Sequence, residues 1–176
     1  MASCEYKQVV CFKCGQQNLA VDIGHVREII RLVAITSIPD APEAILGVIN
    51  LRGVVIPVVD LQAKLRFGRT KRTLSTPIIV VSLAGKQVGL VVDEVREVAL
   101  LASADIHDVP DTISGLPYLW GVAKVQGGGL IHCLDMEKLL TVNEVVIERR
   151  QVGRPWSGSF DAQAQTEERA CSTESA

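Results

Sequence analysis

Short runs of Val, Ile and Leu recur along the chain, each broken by Gly, Pro or polar residues, as in Gln8-Val-Val-Cys-Phe-Lys-Cys14, Val54 to Val59 and Ile78 to Val81. Runs this short, rich in β-branched residues and punctuated by turn formers, predict strands and not long helices. The pattern is written twice. Gly15-Gln-Gln-Asn-Leu-Ala-Val-Asp-Ile-Gly-His-Val-Arg-Glu-Ile29 returns, one residue shorter, as Gly85-Lys-Gln-Val-Gly-Leu-Val-Val-Asp-Glu-Val-Arg-Glu-Val98. In the same order, Gly47-Val-Ile-Asn-Leu-Arg-Gly-Val-Val-Ile-Pro-Val-Val-Asp-Leu61 returns as Gly121-Val-Ala-Lys-Val-Gln-Gly-Gly-Gly-Leu-Ile-His-Cys-Leu-Asp135. Two blocks at one displacement imply a duplicated unit, with halves over about 6–66 and 75–141 inside a folded region of 1–150. Gly15-Gln16, Gly85-Lys86 and Gly127-Gly-Gly129 read as hairpin turns, so each half is a small barrel or sandwich.

Helix signals are sparse. Asp60 and Asp135 can each cap one short turn that closes its half, ending in Gln62-Ala-Lys-Leu65 and Met136-Glu-Lys-Leu-Leu140. Thr141-Val-Asn-Glu144 has capping-box spacing and predicts a closing helix from about Val142 to Arg149, with Val142, Val145 and Val146 along one face. Beyond Gln151 the composition turns to Gly, Ser, Gln, Thr, Glu and Ala, too polar to offset its ordering entropy, so 151–176 is expected to be a disordered tail. Trp156 and Phe160 are the candidate anchors of a docking motif within it.

Composition narrows the function. Hydrophobic residues make up 48 % of the 176 and aromatics only 4 %, which predicts an aliphatic core and no stacking platform. Eighteen basic against twenty acidic residues leave −2, so no excess positive charge exists to neutralise a phosphate backbone, and nucleic acid is not an expected partner. No apolar run approaches the roughly 20 residues that span a bilayer, and Met1 to Cys14 lacks the apolar core of a signal peptide. A cytoplasmic protein without membrane insertion is the expectation. Between the halves, Arg66, Arg69, Lys71 and Arg72 make a basic connection, read first as solvated and second as a surface for an acidic partner.

Chemistry-bearing groups do not assemble into a site. Of the five cysteines (Cys4, Cys11, Cys14, Cys133, Cys171), Cys11 and Cys14 have the C-x-x-C spacing of half a zinc site or a redox pair. In a strand, residues three apart face opposite sides, so two unlinked thiols are expected. His132 and Cys133 are neighbours in a strand and cannot share a proton for the same reason, while His25 and His107 have no companion. Gly127 to Gly129 lacks the lysine of a phosphate loop. Asp22, Glu28, Asp93, Glu94 and Glu97 recur with the repeat, which suits strand ends and paired charges better than a single catalytic centre. No metal, cofactor or catalytic residue is expected. Arg52, in Asn50-Leu-Arg-Gly53, is different: between apolar strands its guanidinium can hold a carboxylate bidentately, with Glu28 a reasonable partner, either as a structural salt bridge that pins one half-barrel or as a binding contact, the two being compatible.

Val21-Asp-Ile, Val26-Arg-Glu-Ile29, Ile38-Pro and above all Gly47 to Leu61, with Gly89-Leu-Val-Val-Asp-Glu-Val and Leu134-Asp-Met-Glu-Lys-Leu-Leu140, resemble the CheW family of chemotaxis coupling proteins over roughly Tyr6 to Leu140. The resemblance implies an all-β fold with a few short helices: two SH3-like, five-stranded β-barrels about a shared apolar core. It implies a non-enzymatic adaptor that joins methyl-accepting chemoreceptors to the regulatory domain of the histidine kinase CheA. By position, Val26, Glu28, Asn50, Arg52 and Gly53 fall on its partner-binding strands. Sheet edges in such barrels would permit weak self-association. Trp120 and the glycine run depart from the family pattern, and the tail leaves a pilus-motility or surface-sensing array as an alternative to flagellar chemotaxis. A generic SH3-like interaction module is the third reading, and a thiol enzyme built on Cys11 and Cys14 the least favoured.

Overall fold

A computed structural model describes residues 6–109, 117–124 and 129–140. The expected helix at 142–149, the tail with Trp156 and Phe160, Cys4, Cys171, and most of the Gly127–Gly129 turn lie outside them. Eleven strands and two one-turn helices follow in order: β1 (Tyr6–Cys14), β2 (Gln17–Asp22), β3 (Val26–Arg31), β4 (Ile45–Leu51), β5 (Val54–Asp60), α1 (Leu61–Lys64), β6 (Pro77–Leu83), β7 (Lys86–Val91), β8 (Glu94–Ala102), β9 (Ile106–His107), β10 (Leu119–Lys124), β11 (Leu130–Leu134) and α2 (Met136–Leu139).

The first barrel orders its strands β3-β6-β7-β5-β4. Beyond β3 the chain returns across β4, where Thr36 and Val48 exchange backbone hydrogen bonds of 2.9 and 2.8 Å, closing the ring. The second barrel orders β8-β1-β2-β11-β10-β9. Its sixth strand is only the far end of a fifth: β8 bends through the 3₁₀ turn Ser103–Asp105 into β9, which pairs with β10. Each barrel holds one parallel pair, β5 on β7 and β11 on β2, at matching places in the repeat. Both expected five-stranded SH3-like units are therefore present.

The expected halves of 6–66 and 75–141 are not the barrels. Hairpin β1-β2 belongs to the second barrel and hairpin β6-β7 to the first, a reciprocal exchange. The crossovers are short: a 3₁₀ turn (Ile23–His25) separates β2 from β3, and Val92-Asp93 separates β7 from β8. A hairpin followed so closely by a strand of the neighbouring sheet has no room to fold back on itself, so each unit must lend its hairpin to the other. Repeat similarity is the same whichever way the hairpins pair, which is why the sequence alone assigned them locally.

Two of the recurring acids, Asp22 and Asp93, sit at these crossovers. Asp22 Oδ1 accepts from Gly24 N at 2.8 Å, holding the turn. Asp93 carboxylate oxygens accept from Gly15 N at 2.6 Å and from Gln62 Nε2 at 2.7 and 2.9 Å, tying α1 to the β1-β2 hairpin. The reading of these acids as fold elements holds at both positions.

Burial follows the strand faces. Ile49, Ile56, Val58, Ile78, Val80 and Val91 fill the first barrel, and Val9, Cys11, Ala20, Leu101, Ala123, Ile131 and Cys133 fill the second. A larger cluster, including Phe12, Leu19, Val59, Leu61, Ile79, Leu90, Leu134 and Leu139, draws on both barrels and welds them. Truncating a fully buried member such as Leu90 to Ala should cost about 2–5 kcal/mol.

Gly47 and Gly121, equivalent in the repeat, make closure possible. Both follow a register shift in their strand. A Cβ on Gly47 would collide with the Thr36 carbonyl, and one on Gly121 would lie 2.7 Å from Ile106 Cγ2. The closing segment crosses against bare backbone in each barrel.

Candidate protein-interaction surface

The described thiols are buried and divide between two clusters. Cys11 packs inside the second barrel and Cys14 in the shared cluster, so the C-x-x-C pair does not converge. Cys133 joins Cys11 in the second barrel, facing away from the cleft that His132 lines beside Leu19 and Tyr118. Burial pushes the Cys14 thiol up to about 12, with Asp93 and Asp60 adding to it, and the Cys133 thiol up to about 11. Burial, then Glu97, raises Cys11 as well. Protonated, enclosed thiols are poor nucleophiles and poor ligands. No group of three His, Cys, Asp or Glu side chains among the described residues could hold a metal ion. Likewise, no helix among them is long and apolar enough to cross a membrane.

Four of the five sequence-predicted residues, Glu28, Asn50, Arg52 and Gly53, meet at the tip of the β4-β5 hairpin. Leu51 pairs with Val54, leaving Arg52 and Gly53 as a two-residue loop. Their φ angles are 52° and 88°, the left-handed values such a loop needs to match the strand twist. Gly53 meets these values freely, and a Cβ there would touch nothing within 4 Å, so its conformational freedom is what the turn uses. Arg52 adopts them against its preference, at about 1 kcal/mol or more. Asn50 Oδ1 accepts from Gly53 N at 2.8 Å and pins the loop. A side-chain acceptor that closes a turn three residues on is the reason Asn suits this position.

Held this way, Arg52 donates from Nη2 to Glu28 Oε2 on β3 at 3.1 Å. The arginine side chain is 79 % exposed and the glutamate 30 %, so the link joins the hairpin tip to an edge strand in contact with water. An ion pair this exposed contributes only about 0–1 kcal/mol to stability. A guanidinium carries five N–H donors, so one this exposed, with a single hydrogen bond to Glu28, is able to take a second acceptor. Val26 stands apart from the other four: it is half-buried against the shared core and anchors the start of β3.

Sequence reasoning named the charged pair and missed the apolar rim. Ile29 on β3 and Val54 and Val55 on β5 are each about half exposed. Beside them, Ile29, Ile30, Pro77, Glu94 and Val95 line a cleft of about 410 Å³ between β3 and β8, strands from different barrels. On β8, Val98 and Leu100 are exposed too. Their periodicity in the sequence is that of buried strand residues, and only the pairing of β3 with β6 and β8 with β1 shows which face is outward.

A family model described as a CheW-like domain matches residues 8–144. The chain is 37 % identical over 123 residues to chemotaxis protein CheW of Rhizobium meliloti (strain 1021), covering 69 % of this chain and 79 % of that protein. It is 31 % identical over 137 residues to chemotaxis protein CheW of Helicobacter pylori (strain ATCC 700392 / 26695), covering 77 % and 82 %. The crystal structure of scaffolding protein TtCheW from Thermoanaerobacter tengcongensis superposes with a TM-score of 0.71 at 33 % identity, over 80 % of this chain and 91 % of that one. With the match running through both barrels and the Arg52 hairpin, the chain belongs to the CheW family of chemotaxis coupling proteins.

Proposed function

We propose that this chain works in the cytoplasm as a non-catalytic scaffold, binding chemoreceptors on one surface and the regulatory domain of the histidine kinase CheA on another. The observation that supports it most is the β4-β5 tip: a strained, solvent-facing Arg52 hydrogen-bonded to Glu28, with exposed Ile29, Val54 and Val55 close to these residues in the chain. A charge pair that adds little to stability yet is held in an unfavourable backbone conformation is better suited to recognition than to folding. The apolar rim supplies area to bury, and the charges set register.

The test is a reconstituted receptor–kinase assembly. Arg52→Glu should weaken co-sedimentation with receptor or with CheA by about tenfold or more and lower kinase activation, with thermal stability nearly unchanged. The charge swap Glu28→Arg/Arg52→Glu should restore the ion pair but not binding, because a partner acceptor would meet the wrong sign at position 52. Full kinase activation by a folded Arg52→Glu protein would remove the assignment.

A further inference from the structure

The connection between the repeats is basic and is not slack. From Leu61 to Val92 the chain carries six Lys and Arg and no Asp or Glu; this stretch is +6 and, since the whole chain is −2, the remainder carries −8. Four of the six lie in the loop that follows α1. Asp60, 2 % exposed, accepts from Thr70 N at 3.1 Å and from Thr70 Oγ1 at 2.9 Å, besides capping α1. Further on, Thr73 N donates to Thr76 Oγ1 at 2.7 Å, and Leu32 N donates to the Thr76 carbonyl at 2.8 Å. Thr70 and Thr76 are buried, so the loop is nailed to the barrel at two points. Between and beside these points Arg66, Arg69, Lys71 and Arg72 face solvent. Arg69 is engaged by Glu43 at 2.6 Å, and among the described residues the other three have no carboxylate partner. Leu74, 88 % exposed, and Phe67, 47 % exposed, stand on the same loop.

We propose that this loop is a docking surface for an acidic segment of a partner protein carrying at least one apolar side chain. Cations on an anchored loop lose little freedom on binding, which favours association. Leu74 and Phe67 would be wasted on a purely ionic ligand, whereas an acidic peptide with an apolar residue uses both. A long polyanion such as a duplex, or an extended anionic bilayer, would also meet the −8 carried by the rest of the molecule, and that repulsion favours a short acidic stretch. The loop follows α1 at the far end of β5 from the Arg52 turn, and the proposal does not depend on the scaffold reading.

The full chain is titrated by fluorescence anisotropy against a labelled peptide of Glu-Glu-Leu-Glu repeats. Phosphatidylglycerol vesicles and single-stranded DNA of matched charge are run in parallel. Saturable peptide binding that weakens with salt is expected, reduced about tenfold or more by Arg66→Glu/Lys71→Glu/Arg72→Glu and several-fold by Leu74→Ser. Thr70→Val, which keeps every charge and loosens the anchor, should weaken binding while leaving its salt dependence unchanged. If the triple reversal does not fold, the corresponding Gln triple replaces it with the same expected direction. Undiminished binding by a folded triple variant, tighter binding to vesicles or DNA than to the peptide, or no saturable peptide binding would each overturn the proposal.

Discussion

Set side by side, the two barrels match strand for strand and part company at their tips and exits. In the first, the hairpin between β4 and β5 turns on Arg52 and Gly53 and delivers a guanidinium to Glu28. In the second, the repeat puts Gln126 and Gly127 at those positions and Glu97 in the place of Glu28, so no guanidinium is available there. After α1, Asp60 grips Thr70 and displays a basic loop; after β11, the equivalent Asp135 caps α2 through Lys138 N at 3.1 Å and ion-pairs the same residue at 3.4 Å. Shared features, the closing glycine, the parallel pair and the aspartate cap, are those closure of a small barrel demands. Unshared features are exposed and charged, and the proposed recognition is assigned to them.

That division can be broken most sharply at the glycines. Gly47→Ala places a methyl group against a backbone carbonyl at a φ of 141°, where nothing can yield without moving the strand, and should lower stability by more than about 3 kcal/mol. Gly121→Ala meets a side-chain methyl first and should cost about 1–2 kcal/mol. Urea denaturation of both variants checks the order; equal costs would mean that the carbonyl facing Gly47 is no harder to displace than the methyl facing Gly121.

The capping aspartates come next. Asp60→Ala removes an acceptor serving two helix amides and both donors of Thr70, and should cost about 3 kcal/mol. Asp135→Ala removes a conventional, partly exposed cap and should cost about 1 kcal/mol. Hydrogen exchange should show the 66–76 backbone loosened in the first variant alone.

The smallest stability effect should accompany the largest functional one. Arg52→Gly relieves a left-handed arginine and loses an exposed ion pair, so the two changes nearly cancel, within about 1 kcal/mol. Thermal melts should hardly move, while co-sedimentation with receptor or kinase falls as it does for Arg52→Glu. Parallel loss of stability and binding would instead make the pair a structural clasp.

Much of this was legible in the residues. Strand runs, turn glycines, the duplicated blocks, the caps at Asp60 and Asp135 and the family signature all depend on local chemistry: the alternation of side-chain faces, the φ values glycine tolerates, the reach of a carboxylate to the next amides. The opposed faces of Cys11 and Cys14 followed from strand geometry in the same way, and Glu28 was a reasonable carboxylate partner for Arg52 from charge alone. What the tertiary structure decided is which hairpin closes which barrel, which of Ile29, Val54, Val98 and Leu100 face water, and that the basic connection is anchored through Thr70. These depend on pairings between strands far apart in the chain, and a pattern of period two looks the same whichever neighbour it finds.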